Sequence, residues 1–170
     1  IDAGSMTTLN PPDEVELAKE LCAIHPWADM ARFARCGGET AAIAVRIARA
    51  HTGRDKVLFS GYHGWQDWYL AANLGEEKAL DGHLLPGLEP NGVPRGLRNS
   101  AYTFRYNQID ELNALIEQHG KDVAAIVMEP CRYDLPTDGF LEKVRAAAKK
   151  AGIVLIFDEI TSGWRHCLGG

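Results

Sequence analysis

Val123-Ala124-Ala125-Ile126-Val127-Met128-Glu129-Pro130 decides the fold. Six apolar residues with no polar alternation, closed by an acid and a proline, read as a strand buried on both faces. The pattern returns at Ile153-Val154-Leu155-Ile156-Phe157, which ends at Asp158-Glu159. Between the two, Phe140 to Ala151 has helical spacing, with Gly152 as its stop. Strand, helix and strand in that order make a βαβ unit with a parallel sheet. Working outward, Ile109, Leu112, Leu115 and Ile116 mark an amphipathic helix ending near Gly120. Tyr102 to Tyr106 reads as a strand, and Lys56-Val57-Leu58-Phe59 as a short buried one. The expected fold class is α/β, three-layered, with a mostly parallel sheet and helices on both faces.

Toward the N-terminus, Asp13 to Cys22 has amphipathic helical spacing, and Pro11-Pro12 with the acids of its first turn fit a helix start. Met30 to Ala34 is a short apolar stretch. From Glu39 the chain turns strongly helical, through Ile43, Val45 and Ile47, with Gly53 as the stop. Gly75 to Gly96 is rich in Gly, Pro and charge and reads as a long surface loop. There is no internal repeat.

The chain has 170 residues, 46% hydrophobic and 24% charged, which fits a globular core and argues against wholesale disorder. Eighteen Lys and Arg against 23 Asp and Glu leave a formal net charge of -5. That balance argues against nucleic acid, which needs a basic footprint. No apolar run is long enough to span a bilayer, so no membrane association is expected. Cys22, Cys36, Cys131 and Cys167 form no CxxC pair, so a zinc knuckle is unsupported and no metal is expected. Reduced thiols and the lack of a visible secretory signal suggest a cytoplasmic protein.

In parallel sheets ligands bind beyond the carboxyl ends of the strands. Glu129 and Asp158 stand at two such ends, one βαβ unit apart, and so face one crevice. Either acid alone could simply cap the next helix or pair with an arginine. Cys36-Gly37-Gly38-Glu39 precedes a helix whose free N–H groups would favour a phosphate. It lacks both the P-loop ending and the dinucleotide fingerprint. Tyr62-His63-Gly64-Trp65 places aromatic rings at a glycine hinge, suited to stacking on a flat ligand. Trp65, Trp68 and Tyr69 read more simply as a core-closing cluster. Together a phosphate cradle, a stacking ring and a strand-end acid suit pyridoxal 5'-phosphate, whose pyridine nitrogen a carboxylate keeps protonated.

These residues resemble a known family. Cys36-Gly37-Gly38-Glu39-Thr40 resembles the Ser-Gly-Thr/Ser-Glu-Ala segment of class III, fold-type I, aminotransferases. His51-Thr52-Gly53-Arg54 and Gly61-Tyr62-His63-Gly64 resemble the Thr-Gly-Arg and Tyr-His-Gly pair of that family. Met128-Glu129-Pro130, Gly139-Phe140-Leu141, Leu155-Ile156-Phe157-Asp158-Glu159-Ile160 and Gly163-Trp164-Arg165 complete the ordered series. The branch it resembles most is that of glutamate-1-semialdehyde 2,1-aminomutase and its relatives.

The resemblance implies amino-group transfer between an amine or amino acid and a carbonyl compound, with pyridoxal 5'-phosphate as cofactor. It implies that Asp158 pairs with the pyridine nitrogen and that Gly37 and Gly38 bind the phosphate. Tyr62, with His63 beside it, would stack on the ring, Ile160 would pack on its other face, and Glu129 would lie toward the substrate. Cys36 and Gly38 depart from the usual hydroxyl residues, and Thr161 stands where many members carry Gln.

None of Lys56, Lys78, Lys121, Lys143, Lys149 and Lys150 matches the family's Schiff-base lysine. The resemblance therefore implies that residues 1–170 are the central part of the large domain. The N-terminal segment, the Schiff-base lysine region and the small C-terminal domain would lie outside it. The full enzyme would be a homodimer, and this chain alone would be inactive. The alternative is a non-catalytic homologue that binds a ligand or partner.

Overall fold

A computed structural model describes residues 10–83 and 85–170. Its centre is β3 (Val123–Met128), in which every residue is buried, as the apolar run requires. β1 (Lys56–Ser60) lies parallel on one side of it and β4 (Val154–Phe157) parallel on the other. β2 (Ala101–Thr103) pairs parallel with β1, giving the order β2-β1-β3-β4. Side-chain alternation along β1 feeds two cores: Val57 and Phe59 point to one face, Leu58 to the other.

Two layers of helix cover the sheet. α1 (Pro12–Ile24) buries no residue, whereas α2 (Gly37–Thr52) sends Ala41, Val45 and Ala48 onto the first face. The short α3 (Asp67–Leu70) and α4 (Ala72–Gly75) join that layer through Trp68, Tyr69 and Ala72. α5 (Ile109–His119) and α6 (Phe140–Ala151) cover the opposite face through Leu112, Phe140, Val144 and Ala148. The chain steps from β1 outward to β2 by one layer, then crosses back over β1 to β3 by the other. That reversal lies between β1 and β3, where the following loops diverge and leave a crevice.

The expected α/β architecture is therefore present, with differences in detail. Gly53 and Gly152 close α2 and α6 in the left-handed conformation, with φ of 66° and 63°, as their positions suggest. The expected strand from Tyr102 to Tyr106 shrinks to β2 plus one further bond, from Phe104 N–H to the Phe59 carbonyl at 3.0 Å. Gly75 to Gly96 is no mere surface loop, because Leu80, His83 and Val93 are buried in the first core layer or beside it. Trp68 and Tyr69 close the core, but Trp65 does not: it is 71% exposed.

Among the described residues, no helix is long and apolar enough to cross a membrane, and no cluster of three or more His, Cys, Asp or Glu could hold a metal.

Candidate functional site

A cavity of about 310 Å³ opens at the carboxyl ends of β1, β3 and β4 and at the start of α2. The residues singled out in the sequence, Gly37, Gly38, Tyr62, His63, Glu129, Asp158 and Ile160, all line it. Each arrives by a strand end or helix start, so the parallel sheet alone explains their meeting.

The floor is glycine. A β-carbon on Gly37 would collide with the Ile160 side chain, so Ile160 sits directly on the start of α2. A β-carbon on Gly64, whose φ is 98°, would lie 2.8 Å from the Gly38 Cα. The loop after β1 and the start of α2 thus touch backbone to backbone. Cys36 makes no side-chain capping bond to α2, and the helix dipole gives this end a positive character.

Asp158 is held on both oxygens. His63 Nδ1 lies 2.8 Å from Oδ2, and the Ile160 N–H donates to Oδ1 at 3.1 Å. His63 Nε2 faces the Ser60 carbonyl at 3.0 Å. Both ring nitrogens therefore face oxygens, the Asp158 carboxylate on one side and the Ser60 carbonyl on the other. His63 is fully buried between Phe59, Trp68 and Tyr69, with its ring stacked on Trp68.

Glu129 leaves β3 and forms an ion pair with Arg132 at 2.7 Å. Arg132 Nη2 donates to Thr161 Oγ1 at 2.7 Å, tying the loop after β3 to the loop after β4. Burial raises the Glu129 carboxyl above its ordinary range, and Arg132 offsets only part of that effect. On the far side of Tyr62, Glu129 and Arg132 a second cavity of about 340 Å³ is lined by His83, Arg105 and Tyr106. His83 Nδ1 accepts the Gly61 N–H at 3.1 Å, and burial lowers its basicity, with His63 opposing its charge further. Burial also pushes the Tyr106 hydroxyl up to about 12.

Arg132 and Gln66 line the first cavity but were not singled out in the sequence. Neither belongs to a periodic pattern, and a basic residue three places after an acid is too common to mark a site. No lysine lines the cavity among the described residues.

A parallel sheet with a glycine-floored, acid-backed cavity at its strand ends defines an α/β fold with a candidate ligand site at the sheet's carboxyl edge. The model of the class-III aminotransferases matches residues 3–168, and the chain belongs to that family. It is 39% identical over 164 residues to a glutamate-1-semialdehyde 2,1-aminomutase of Alkaliphilus oremlandii, covering 92% of this chain and 37% of that protein. It is 35% identical over 160 residues to a 3-aminobutyryl-CoA aminotransferase of Cloacimonas acidaminovorans, covering 91% of this chain and 34% of the relative. A solved transaminase with pyridoxal phosphate bound superposes with a TM-score of 0.78 at 26% identity, over 94% of this chain and 38% of that one. The chain thus spans little more than a third of the proteins it resembles.

Proposed function

We propose that this chain forms the cofactor-gripping part of a pyridoxal 5'-phosphate enzyme that moves an amino group between an amine or amino acid and a carbonyl compound, as an aminotransferase or aminomutase. The observation that carries the reading is the meeting of Gly37, Gly38, Tyr62 and a doubly held Asp158 around one cavity. These groups fit the cofactor: backbone N–H groups at the start of α2 for its phosphate, the Tyr62 ring for its face, and a carboxylate for its ring nitrogen. When bound, pyridoxal 5'-phosphate supplies an electron sink for the pair left when a proton leaves the amine-bearing carbon.

The protein's own work is positioning. Asp158 would hold a proton on the pyridine nitrogen of the bound cofactor, with His63 and the Ile160 N–H fixing the carboxylate. Ile160, which lines the same cavity as Tyr62, would cover the other face of the bound ring and help exclude water. Glu129, paired with Arg132, borders the substrate side. The lysine that carries the cofactor and shuttles the proton lies, in this reading, elsewhere in a longer protein, a cytoplasmic homodimer. Exposed apolar side chains such as Trp27, Met30 and Leu135 support burial against further surface.

A second reading, a ligand- or partner-binding homologue without catalysis, is favoured by a cavity that no lysine lines among the described residues. The test uses the full-length protein that carries this segment. It is expected to take up one equivalent of pyridoxal 5'-phosphate. Asp158→Asn should retain the cofactor but lose amino transfer by about a hundredfold or more. Cofactor uptake without any transfer by the wild type would support the second reading, and failure to take up the cofactor would sink the first.

A further inference from the structure

The second cavity, of about 340 Å³, is within the size range of small-molecule sites and has polar groups that the cofactor reading leaves unused. Tyr62, Glu129 and Arg132 line both cavities, so the two adjoin. His83 is the buried donor of the second, with 8% exposure. Its Nδ1 accepts the Gly61 N–H, which places the proton of the neutral ring on Nε2. That Nε2–H has no hydrogen-bond partner among the described residues, yet it is not sealed off, so a guest can reach it.

The neighbouring atoms complete a mixed lining. The Tyr106 hydroxyl donates to the Pro130 carbonyl, which leaves its oxygen to accept. Arg105 holds Glu111 through Nε and Nη2, while Arg132 directs Nε at Glu129 and Nη2 at Thr161. Each arginine therefore keeps Nη1 as a donor. The Asp134 carboxylate accepts at the exposed side, beside the Tyr133 ring. Both guanidinium charges already face carboxylates and Asp134 adds another negative group, so an anionic guest is poorly served. An apolar guest would leave His83 Nε2–H without a partner. Hydroxyl groups both donate and accept, and a sugar ring presents C–H faces to tyrosine.

We propose that this cavity holds the body of the substrate and that the substrate is polyhydroxylated: an amino sugar, or the sugar with a carbonyl in place of the amine. The carbon that bears the amine or carbonyl would lie in the first cavity, past Tyr62 and Glu129. This rests on the amino-transfer reading above and names its substrate class. His83 and Asp134 are then specificity residues, one donating to a sugar hydroxyl and the other accepting from one.

The experiment titrates the cofactor-free full-length protein by calorimetry with glucosamine, galactosamine and mannosamine, and with cyclohexylamine, a ring without hydroxyls. At least one hexosamine should bind about tenfold or more tighter than cyclohexylamine, because a site built for hydroxyls rejects a ligand lacking them. Asp134→Leu should weaken that hexosamine by about tenfold and His83→Phe by about fivefold, the worth of a charged and a neutral hydrogen bond. Cofactor uptake, read by absorbance, should persist in both variants and reports that they are folded; Asp134 is exposed, so its variant keeps the test open if His83→Phe misfolds. Glutamate, titrated alongside, should keep its affinity in His83→Phe, and a loss matching that of the hexosamine would give the cavity to carboxylates. That result, a preference for cyclohexylamine or none at all, or a hexosamine affinity that neither variant changes overturns the proposal. A wild type that takes up no cofactor overturns the amino-transfer reading beneath it, whatever the hexosamines do, which tells the two failures apart.

Discussion

Glu129 shows how one residue can be placed by sequence and yet be understood only from its surroundings. Its position at the end of an apolar strand was legible, but its partner was not, because Arg132 meets it through a loop with no periodicity. The pairing has a consequence for pH. Burial raises the folded-state carboxyl above its ordinary value of 4.5, with Arg132 opposing. A group shifted this way stabilises the fold while protonated, so its contribution is present below 4.5 and is lost as pH rises through the raised value. Glu129→Gln stays neutral throughout. The melting temperature of Glu129→Gln relative to wild type should therefore rise as the pH is raised above 4.5, measured by calorimetry. A difference that stays flat over that range would count against a raised Glu129.

At the scale of elements, the helix stops were the most legible features and the loop contacts the least. Gly53 and Gly152 could be read as terminators because an αL cap has a strong residue preference. Arg54, one residue past the first of them, resembled a family motif without an evident purpose. In the structure its Nη1 lies 3.4 Å from the Gly120 carbonyl, 3.2 Å from Val123, 3.1 Å from Ala151 and 3.2 Å from Gly152. One guanidinium thus joins the end of α2 to the start of β3 and the end of α6, at the edge opposite the cavity. Arg54→Met keeps the aliphatic stem and removes the donors. It should lower unfolding free energy by about 2 kcal/mol, the order expected for hydrogen bonds from a charged group, read by urea denaturation. Cofactor affinity should not change, since no atom of Arg54 lines the cavity. A coupled loss of both would mean that the distant edge also shapes the site.

For the whole molecule, the α/β layering followed from apolar runs, but the fate of β4 did not. An apolar run reports that a strand needs cover on both faces; it does not say what supplies it. In this chain β4 is an edge strand, its residues Val154, Leu155 and Ile156 only half-buried and Phe157 41% exposed. Such an edge pairs readily with another chain. The 170 residues produced alone should self-associate, and Phe157→Lys should reduce that association, as sedimentation velocity would show. A wild-type chain that stays monomeric at high concentration would contradict the open edge. The two helical layers carry a different implication. α2 and the loop after β1 belong to one layer, whereas the Glu129–Arg132 loop runs on into α6 in the other. The cavity draws on both, so it exists only once each layer has docked on the sheet. A half-assembled chain, with one face packed and the other loose, would have a sheet and a core but nothing with which to hold a guest.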